Sequence, residues 1–422
     1  MVAIIYRYYL DLSYIMLSES YPVEFPVRPD SIKMVLSYVI ISWLILITYK
    51  KDLITSYLFR VLTFFTIIPL SSVYAMKDES SVFFLLTCLT FGAVQLIFIK
   101  NHKTKEEIEL SLSASKGVPL LRYSCLLFIA LTAMLMYLQM GMPSLEALVL
   151  ENVYEVRQNF NLSSYVRYML WACAQVAVPF GIADGYVRKS KIQVVICILF
   201  QLMFYLWTGN KTWFFSIFLI LAIMILIASK KKLDYFFIGL TVLCAVGYYG
   251  RENLVGVQVG SFLNRRVLLD PAALKFSYYD YFIVNSHDKV YFSSTVLGPL
   301  FRGLTKSSID FPYDISDKYT DKASNAVTGI YGGDIANWGL LTFILVPVLL
   351  YMLADLAEKS KYKIGRNFTY LFLSYLFFSF NDQRIVIFFL DFQGLILFFI
   401  LFEMTRNPQR HIKNKQVLIS DN

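Results

Sequence analysis

About eleven apolar stretches of roughly twenty residues each occupy this chain, and they limit its possible folds more than any other feature. The hydrocarbon core of a bilayer is ~30 Å thick and needs ~20 apolar residues per crossing helix. A crossing segment must also satisfy its own backbone hydrogen bonds, as an α-helix does. We therefore predict an all-α polytopic membrane protein, a single integral membrane domain over residues 1–422, with spans at residues 31–49, 54–75, 81–99, 119–140, 164–186, 191–208, 212–229, 233–250, 336–356, 367–380 and 384–403.

The composition supports a membrane protein and argues against a nucleic-acid-binding protein. Charged residues make up 16% of the chain, whereas soluble domains contain ~25%. The net charge is +9, but the basic residues lie in short clusters beside span ends and do not form one basic surface. Nucleic acid is therefore not an expected partner.

The lysine and arginine clusters predict the orientation of the chain. They follow the first, third, fifth, seventh and ninth spans and the last one, and positive charge marks the cytoplasmic side. The other junctions then face outward, and two of them are predicted external loops, a smaller one at 141–163 and a large one at 251–335. Residues 1–20 are apolar but contain Arg7 and Asp11. Twelve helices are predicted if this segment spans the membrane, and eleven if it lies at the interface.

Cysteine and histidine patterns give no sign of a metal or redox site. All five cysteines lie inside apolar stretches, without the pairing that metal ligation requires, and the three histidines are far apart. No glycine-rich phosphate-binding loop is present. We expect neither a cofactor nor a metal.

The large loop is too long to be a turn, and long loops are often functional. Two of its segments, 256–268 and 270–283, are predicted to be short amphipathic helices on the membrane surface. The second begins with Asp270 and Pro271, which suit the N-cap and the first helical position.

Several arginines in the outward loops suit phosphate oxygens, because guanidinium presents a fork of donors. The candidates for binding a lipid pyrophosphate are Arg157, Arg251, Arg265 and Arg266. An alternative is that these arginines contact lipid headgroups or pair with carboxylates such as Asp270.

Acidic and aromatic residues in the same loop suggest a carbohydrate site. Tyr279 and Asp280 combine an aromatic face with a carboxylate, although tyrosines also form interfacial belts. Asp334 follows a glycine-rich run after Asn325, and a carboxylate at the mouth of a helix bundle is a functional candidate. The alternative is that Asp334 caps the ninth span. Arg384 lies in a short outward loop that would converge on the same cavity.

The layout and two segments resemble the O-antigen polymerase (Wzy) family of oligosaccharide repeat-unit polymerases. The segments are RRVLLDPAALKFSYYDYF and SNAVTGIYGGDIANWGLL, in the large loop and at its exit. The arginine-ten-residues-glycine repeat of some members is absent, so the resemblance does not assign donor and acceptor to particular loops.

This resemblance implies metal-independent glycosyl transfer on the periplasmic face of the bacterial inner membrane. The partners would be undecaprenyl-pyrophosphate-linked glycans, membrane lipids and a chain-length regulator. Asp280 and Asp334 would be the catalytic carboxylates. The substrate would bind to residues Arg157, Arg251, Arg265, Arg266, Tyr279, Asn325 and Arg384.

Three other functions stay open on the sequence. An O-antigen ligase has a similar layout but usually a histidine near the loop exit, where this chain has Asn325. A lipid-linked glycan flippase is expected to have charges inside several spans and no large external loop. A C-type glycosyltransferase is expected to have an acidic first outer loop, and here that loop has only Glu24 and Asp30.

Overall fold

The computed structural model describes residues 1–49, 53–101, 117–145, 156, 162–229, 232–250, 259–290, 311–320, 328–390, 393–394, 396–397 and 400. Three residues predicted to bind substrate, Arg157, Arg251 and Asn325, lie outside these ranges. Most of the predicted 141–163 loop and much of the predicted last span also lie outside them.

The described residues form helices and no strand, which confirms the predicted all-α polytopic class. The helices before the large loop are α1 Val2–Ser20, α2 Ser31–Thr48, α3 Ile54–Met76, α4 Ser81–Asn101, α5 Gly117–Met140, α6 Ser164–Val187, α7 Lys191–Thr208, α8 Lys211–Ala228 and α9 Asp234–Tyr249. The remaining helices are α10 at 260–284 and α11 Phe311–Tyr319, both within the predicted 251–335 loop, and then α12 Gly332–Trp338, α13 Thr342–Ile364, α14 Arg366–Ser379 and α15 Ile385–Leu390.

Seven helical segments within the described ranges are long and apolar enough to cross a membrane. They comprise α2, α3, α4, α5, α6, α7 and the stretch Gly332–Lys359, and α8 and α9 are shorter apolar helices. A multi-pass membrane protein is therefore indicated. The predicted total of eleven or twelve spans stays a prediction.

The N-terminal helix α1 packs one face against α3 and α9, and its other face is exposed. Arg7 and Asp11 are both buried and form an ion pair of 3.0 Å between Nε and Oδ1. Arg7 Nη2 also donates to the Ser71 carbonyl at 2.9 Å, and the Tyr38 hydroxyl donates to Asp11 at 3.0 Å. The two charges that made residues 1–20 ambiguous are thus satisfied within the protein.

Three helices contain a π-helical segment that ends just before a proline. These segments are Thr63–Ile67, Cys173–Ala177 and Gly260–Leu269, followed by Pro69, Pro179 and Pro271. In each case the residue before the proline donates its N–H to the carbonyl five residues back. Proline lacks an N–H and its ring clashes with the carbonyl four residues earlier. The wider turn relieves that clash, so the helix continues through the proline.

The structure corrects the prediction of two surface helices at 256–268 and 270–283. Gly260–Leu269, Asp270–Tyr279 and Asp280–Val284 follow one another without a break and form the single helix α10. Its side chains are buried against α1, α3, α9 and α12, and Leu268, Ala272 and Phe276 are at most 1% exposed. Since Asn264, Arg265 and Lys275 are buried as well, the helix packs in the core and does not lie on the membrane surface. Asp270 lies inside this helix, so its predicted N-cap role was wrong.

We expect Arg7→Met to destabilise the protein, because it leaves the Asp11 carboxylate buried without its counter-ion. Removing one partner of a buried pair costs about 3–5 kcal/mol, whereas replacing both with apolar residues is often neutral. The thermal unfolding midpoint of the purified protein in detergent should therefore fall strongly in Arg7→Met and less in Arg7→Met/Asp11→Leu.

Lys359→Met is the matched control, because the Lys359–Asp355 pair is exposed at the lysine and such pairs contribute little. Equal midpoints for Arg7→Met and the wild type would contradict the interpretation.

Candidate functional site

Asn381, directly after α14, connects three parts of the bundle. Its Nδ2 donates to the Val267 carbonyl of α10 at 2.6 Å, and its Oδ1 accepts from Thr66 Oγ1 of α3 at 3.4 Å. Lys275 Nζ donates to the Asn381 carbonyl at 3.1 Å and to Asn381 Oδ1 at 3.3 Å. Val267 is the residue four before Pro271, so its carbonyl cannot form the usual helical bond. Asn381 supplies a donor there.

Lys275 is fully buried, and its third donor contacts the Pro271 carbonyl at 3.3 Å. Burial lowers the pKa of Lys275 to about 7, although the nearby Asp382 and Asp334 carboxylates favour the charged ammonium. Three oxygen acceptors match the three N–H groups of a protonated lysine. The ammonium form therefore ties α10 to the turn after α14.

The glycine-rich run before α12 packs closely against the same turn. A Cβ on Gly329 would lie 2.1 Å from the carbonyl oxygens of Phe380 and Asn381, and a Cβ on Gly332 would lie 2.6 Å from Lys275 Cα. Between these glycines, Tyr331 is fully buried with φ of +65°. A bulky residue in the left-handed region is strained, and such strain is often found at functional sites.

Asp334 and Arg384 meet at this run. Asp334 is fully buried, and its Oδ2 accepts from the Ile385 N–H at 3.3 Å. It therefore caps α15 and not, as the alternative had it, the ninth span. The Arg384 stem lies beside Gly333, where a Cβ would be 2.5 Å from Arg384 Cγ. Among the described residues, Arg384 Nη1 is buried without a hydrogen-bond partner.

Arg265 and Arg266 are placed differently from the phosphate ligands that the sequence predicted. Arg265 Nη2 pairs with Glu24 at 3.0 Å and its Nε lies 3.4 Å from Asp270, while the guanidinium stacks 3.3 Å above the Tyr21 ring. Arg266 Nε lies 4.0 Å from the same Asp270. The structure thus favours the alternative in which these arginines pair with carboxylates, and Arg265 holds α10 against the α1–α2 connection.

The end of α10 forms a second polar cluster around Asp280. The Asp280 carboxylate accepts hydrogen bonds from the Tyr319 hydroxyl and from Asn285 Nδ2, the latter at 3.0 Å. Glu79, in the α3–α4 junction, lies near it. Burial raises the pKa of Glu79, Lys77 opposes that rise, and the negative charge of Asp280 adds to it.

Aromatic side chains at this end divide into core and surface. Tyr279 is 7% exposed and packs 5.1 Å from the Phe83 ring, so it is a core residue and not the predicted sugar platform. Tyr281 is half-buried and stacks on the exposed His287, with ring centroids 3.9 Å apart and planes at 16°. Since Tyr281 directly follows Asp280 in the sequence, this stacked pair lies next to the Asp280 cluster.

Sequence reasoning missed Lys275, Glu79 and His287 as site residues, and it expected Asn381 only as part of the short polar turn that contains Arg384. A signal existed for Lys275, because a lone lysine among apolar residues within a helical run is costly unless it has partners. Glu79 gave no signal, since its neighbour Asp280 is about two hundred positions away. The described site residues thus fall into two groups, Asp334 with Arg384 and Asp280 with its partners.

No family model, curated protein or solved structure that was compared matches this chain. The function of the protein is therefore inferred from the geometry of these two clusters and from the two segments in the large loop and at its exit.

We expect stability to rise with pH above about 7 because of Lys275. The unfolded lysine holds its proton up to about pH 10.5, whereas the buried Lys275 releases it near 7, so the unfolded state binds more protons in between. The free energy of unfolding should rise with a slope of at most about 1.4 kcal/mol per pH unit. Unfolding of detergent-solubilised protein between pH 7 and 9.5 should lose this slope in Lys275→Met and keep it in Lys359→Met. Identical slopes in all three proteins would contradict this.

Proposed function

We propose that this protein polymerises undecaprenyl-pyrophosphate-linked oligosaccharide repeat units on the periplasmic face of the bacterial inner membrane. One observation carries the proposal. A guanidinium nitrogen of Arg384 is buried without a partner among the described residues, beside a strained glycine-rich run and the buried Asp334. A buried donor without a partner is costly, and its cost is recovered when an anion binds. Pyrophosphate is an anion that arginine recognises well.

The reaction would be a displacement at the anomeric carbon of the donor sugar. A hydroxyl of the acceptor repeat unit attacks C1, the bond from C1 to the pyrophosphate oxygen breaks, and its electron pair leaves with the lipid pyrophosphate. Arg384 stabilises the negative charge that develops on this leaving group. The proton of the attacking hydroxyl passes to a carboxylate.

Asp280 suits the role of proton acceptor better than Asp334. Asp280 is partly exposed and already accepts a hydrogen bond from a hydroxyl group, that of Tyr319. Asp334 is fully buried and bonded to the backbone of α15, so it positions the turn that contains Arg384. Tyr281 and His287 would receive the sugar face next to Asp280.

Deleting the gene in its native host, followed by gel separation of the surface glycolipids, tests the proposed function. A ladder that collapses to core plus one repeat supports the polymerase, because export and ligation continue. Bare core with polymer left on the lipid carrier would indicate a ligase. Bare core with only single lipid-linked units would indicate a flippase, and an unchanged ladder would overturn all three functions.

Arg384→Ala should lower the polymerisation rate by about 10²–10³-fold, the usual effect of removing one donor to a developing negative charge. Arg384→Lys should restore part of it, because the charge returns without the fork of donors. The rate is measured with purified protein and lipid-linked repeat units. Arg28→Ala, at an exposed arginine of the α1–α2 connection, is the control and should keep the wild-type rate. A wild-type rate for Arg384→Ala would remove Arg384 from the mechanism.

Asp280→Asn should lower the polymerisation rate by about 10²–10⁴-fold, the usual contribution of a residue that accepts a proton in the transition state. Asp288→Asn, at an exposed carboxylate nearby, is the control and should keep the wild-type rate. The rate is measured with the same purified protein and lipid-linked repeat units as for Arg384. A wild-type rate for Asp280→Asn would assign the proton acceptor elsewhere.

A further inference from the structure

An aromatic cleft lies between α7, α8, α9, α10 and α14, and Phe65 of α3 also lines it. Its volume is about 650 Å³, and eight of its fifteen lining residues are aromatic. Small-molecule sites usually enclose ~300–1,000 Å³ and are lined mainly by apolar and aromatic side chains. The cleft therefore has the size and lining of a binding site.

The mouth of the cleft opens on the outer surface of the bundle. Phe218 of α8 and Leu243 of α9 line it and are 54% and 48% exposed. Both helices are apolar along their length. In a membrane this mouth faces hydrocarbon, so an occupant enters from the bilayer and not from water.

The inner end of the cleft meets the hydrogen bonds of Asn381. Val267 lines the cleft and its carbonyl accepts from Asn381. Phe65 lines the cleft and precedes Thr66, which donates to Asn381. A chain in the cleft therefore ends beside the turn after α14, three residues before Arg384.

The first turn of α8 fixes the wall of the cleft to the same turn. Thr212 Oγ1 donates to Asp382 Oδ2 at 2.7 Å. One turn further along α8, Phe215 packs on Phe262 of α10 with ring centroids 4.3 Å apart. The apolar cleft and Arg384, whose Nη1 is buried without a partner in the described part of the chain, are thus connected through the turn after α14.

We propose that the cleft binds the isoprenoid chain of a polyprenyl phosphate lipid, with the phosphate end at Arg384. This inference rests on the proposed function and names the binding path of its lipid. A single polar-headed chain fits a cleft that is apolar along its length and polar at one end. The flat, methyl-bearing double bonds of an isoprenoid chain pack face to face with aromatic rings. A two-chain phospholipid would have to leave its second chain outside.

The test uses the full-length protein in phosphatidylcholine nanodiscs and a polyprenyl monophosphate with a photoreactive diazirine in its chain. After irradiation, mass spectrometry of the digested protein should locate the crosslinks on α8 and on 260–269. Unlabelled undecaprenyl phosphate should compete, and phosphatidic acid at the same concentration should not. Equal competition by phosphatidic acid, or crosslinks elsewhere, would overturn the proposal and identify an ordinary bilayer lipid.

Ala222→Trp fills the cleft from α8, and labelling should fall about tenfold or more because the added ring occupies the path of the chain. Ala228→Trp introduces the same ring at an exposed position of the same helix and should label like the wild type. Size-exclusion profiles and circular dichroism confirm that both variants are folded. Unchanged labelling of folded Ala222→Trp would overturn the proposal.

The labelling experiment needs no turnover, so it separates the two proposals. Crosslinks on α8 and on 260–269, together with an unchanged glycolipid ladder after gene deletion, would support lipid binding in the cleft and reject the polymerase function. A ladder that collapses on gene deletion and is fully restored by the Ala222→Trp gene, together with crosslinks outside the cleft, would support the polymerase function and reject lipid binding in the cleft.

Discussion

The hydrogen bonds of Asn381 and Lys275 are the contacts on which the arrangement of the site depends. Pro271 deprives the Val267 carbonyl of its helical partner, and Asn381 supplies the missing donor. Lys275 then binds Asn381 from the next turn of α10. Because α3 also contributes Thr66, three distant parts of the sequence are fixed around one side chain, and the turn that contains Arg384 has a defined position.

Hydropathy and charge were enough to predict the helical class, since the bilayer dictates both the length of a span and the position of its flanking lysines. The packing of α10 was not predictable in the same way. Its polar residues suggested a surface segment. Lys275 and Arg265 are nevertheless buried, because each bonds to a residue of another segment of the chain. Glu24, the partner of Arg265, is 241 residues away in the sequence, and no local pattern indicates such a contact.

Two arginines of the predicted site show how partners decide a role. Both belong to segments that the charge pattern predicts to face outward, and both offer the same guanidinium group to a ligand. Arg265 is enclosed by Glu24, Asp270 and the ring of Tyr21, so an added anion would have to displace carboxylates that already neutralise it. Arg384 retains a buried nitrogen without a partner among the described residues. Residue type alone made them equivalent, and only the three-dimensional neighbourhood distinguishes them.

The ion pair of α1 bears on how the protein enters its membrane. Arg7 and Asp11 are four residues apart on the same helix, so they meet as soon as that helix forms. An isolated charge resists transfer out of water, but a pair with its own counter-ion does so much less. The charges of Arg7 and Asp11 can therefore neutralise each other within α1 before Ser71 and Ser72 of α3 have been synthesised to complete their hydrogen bonds.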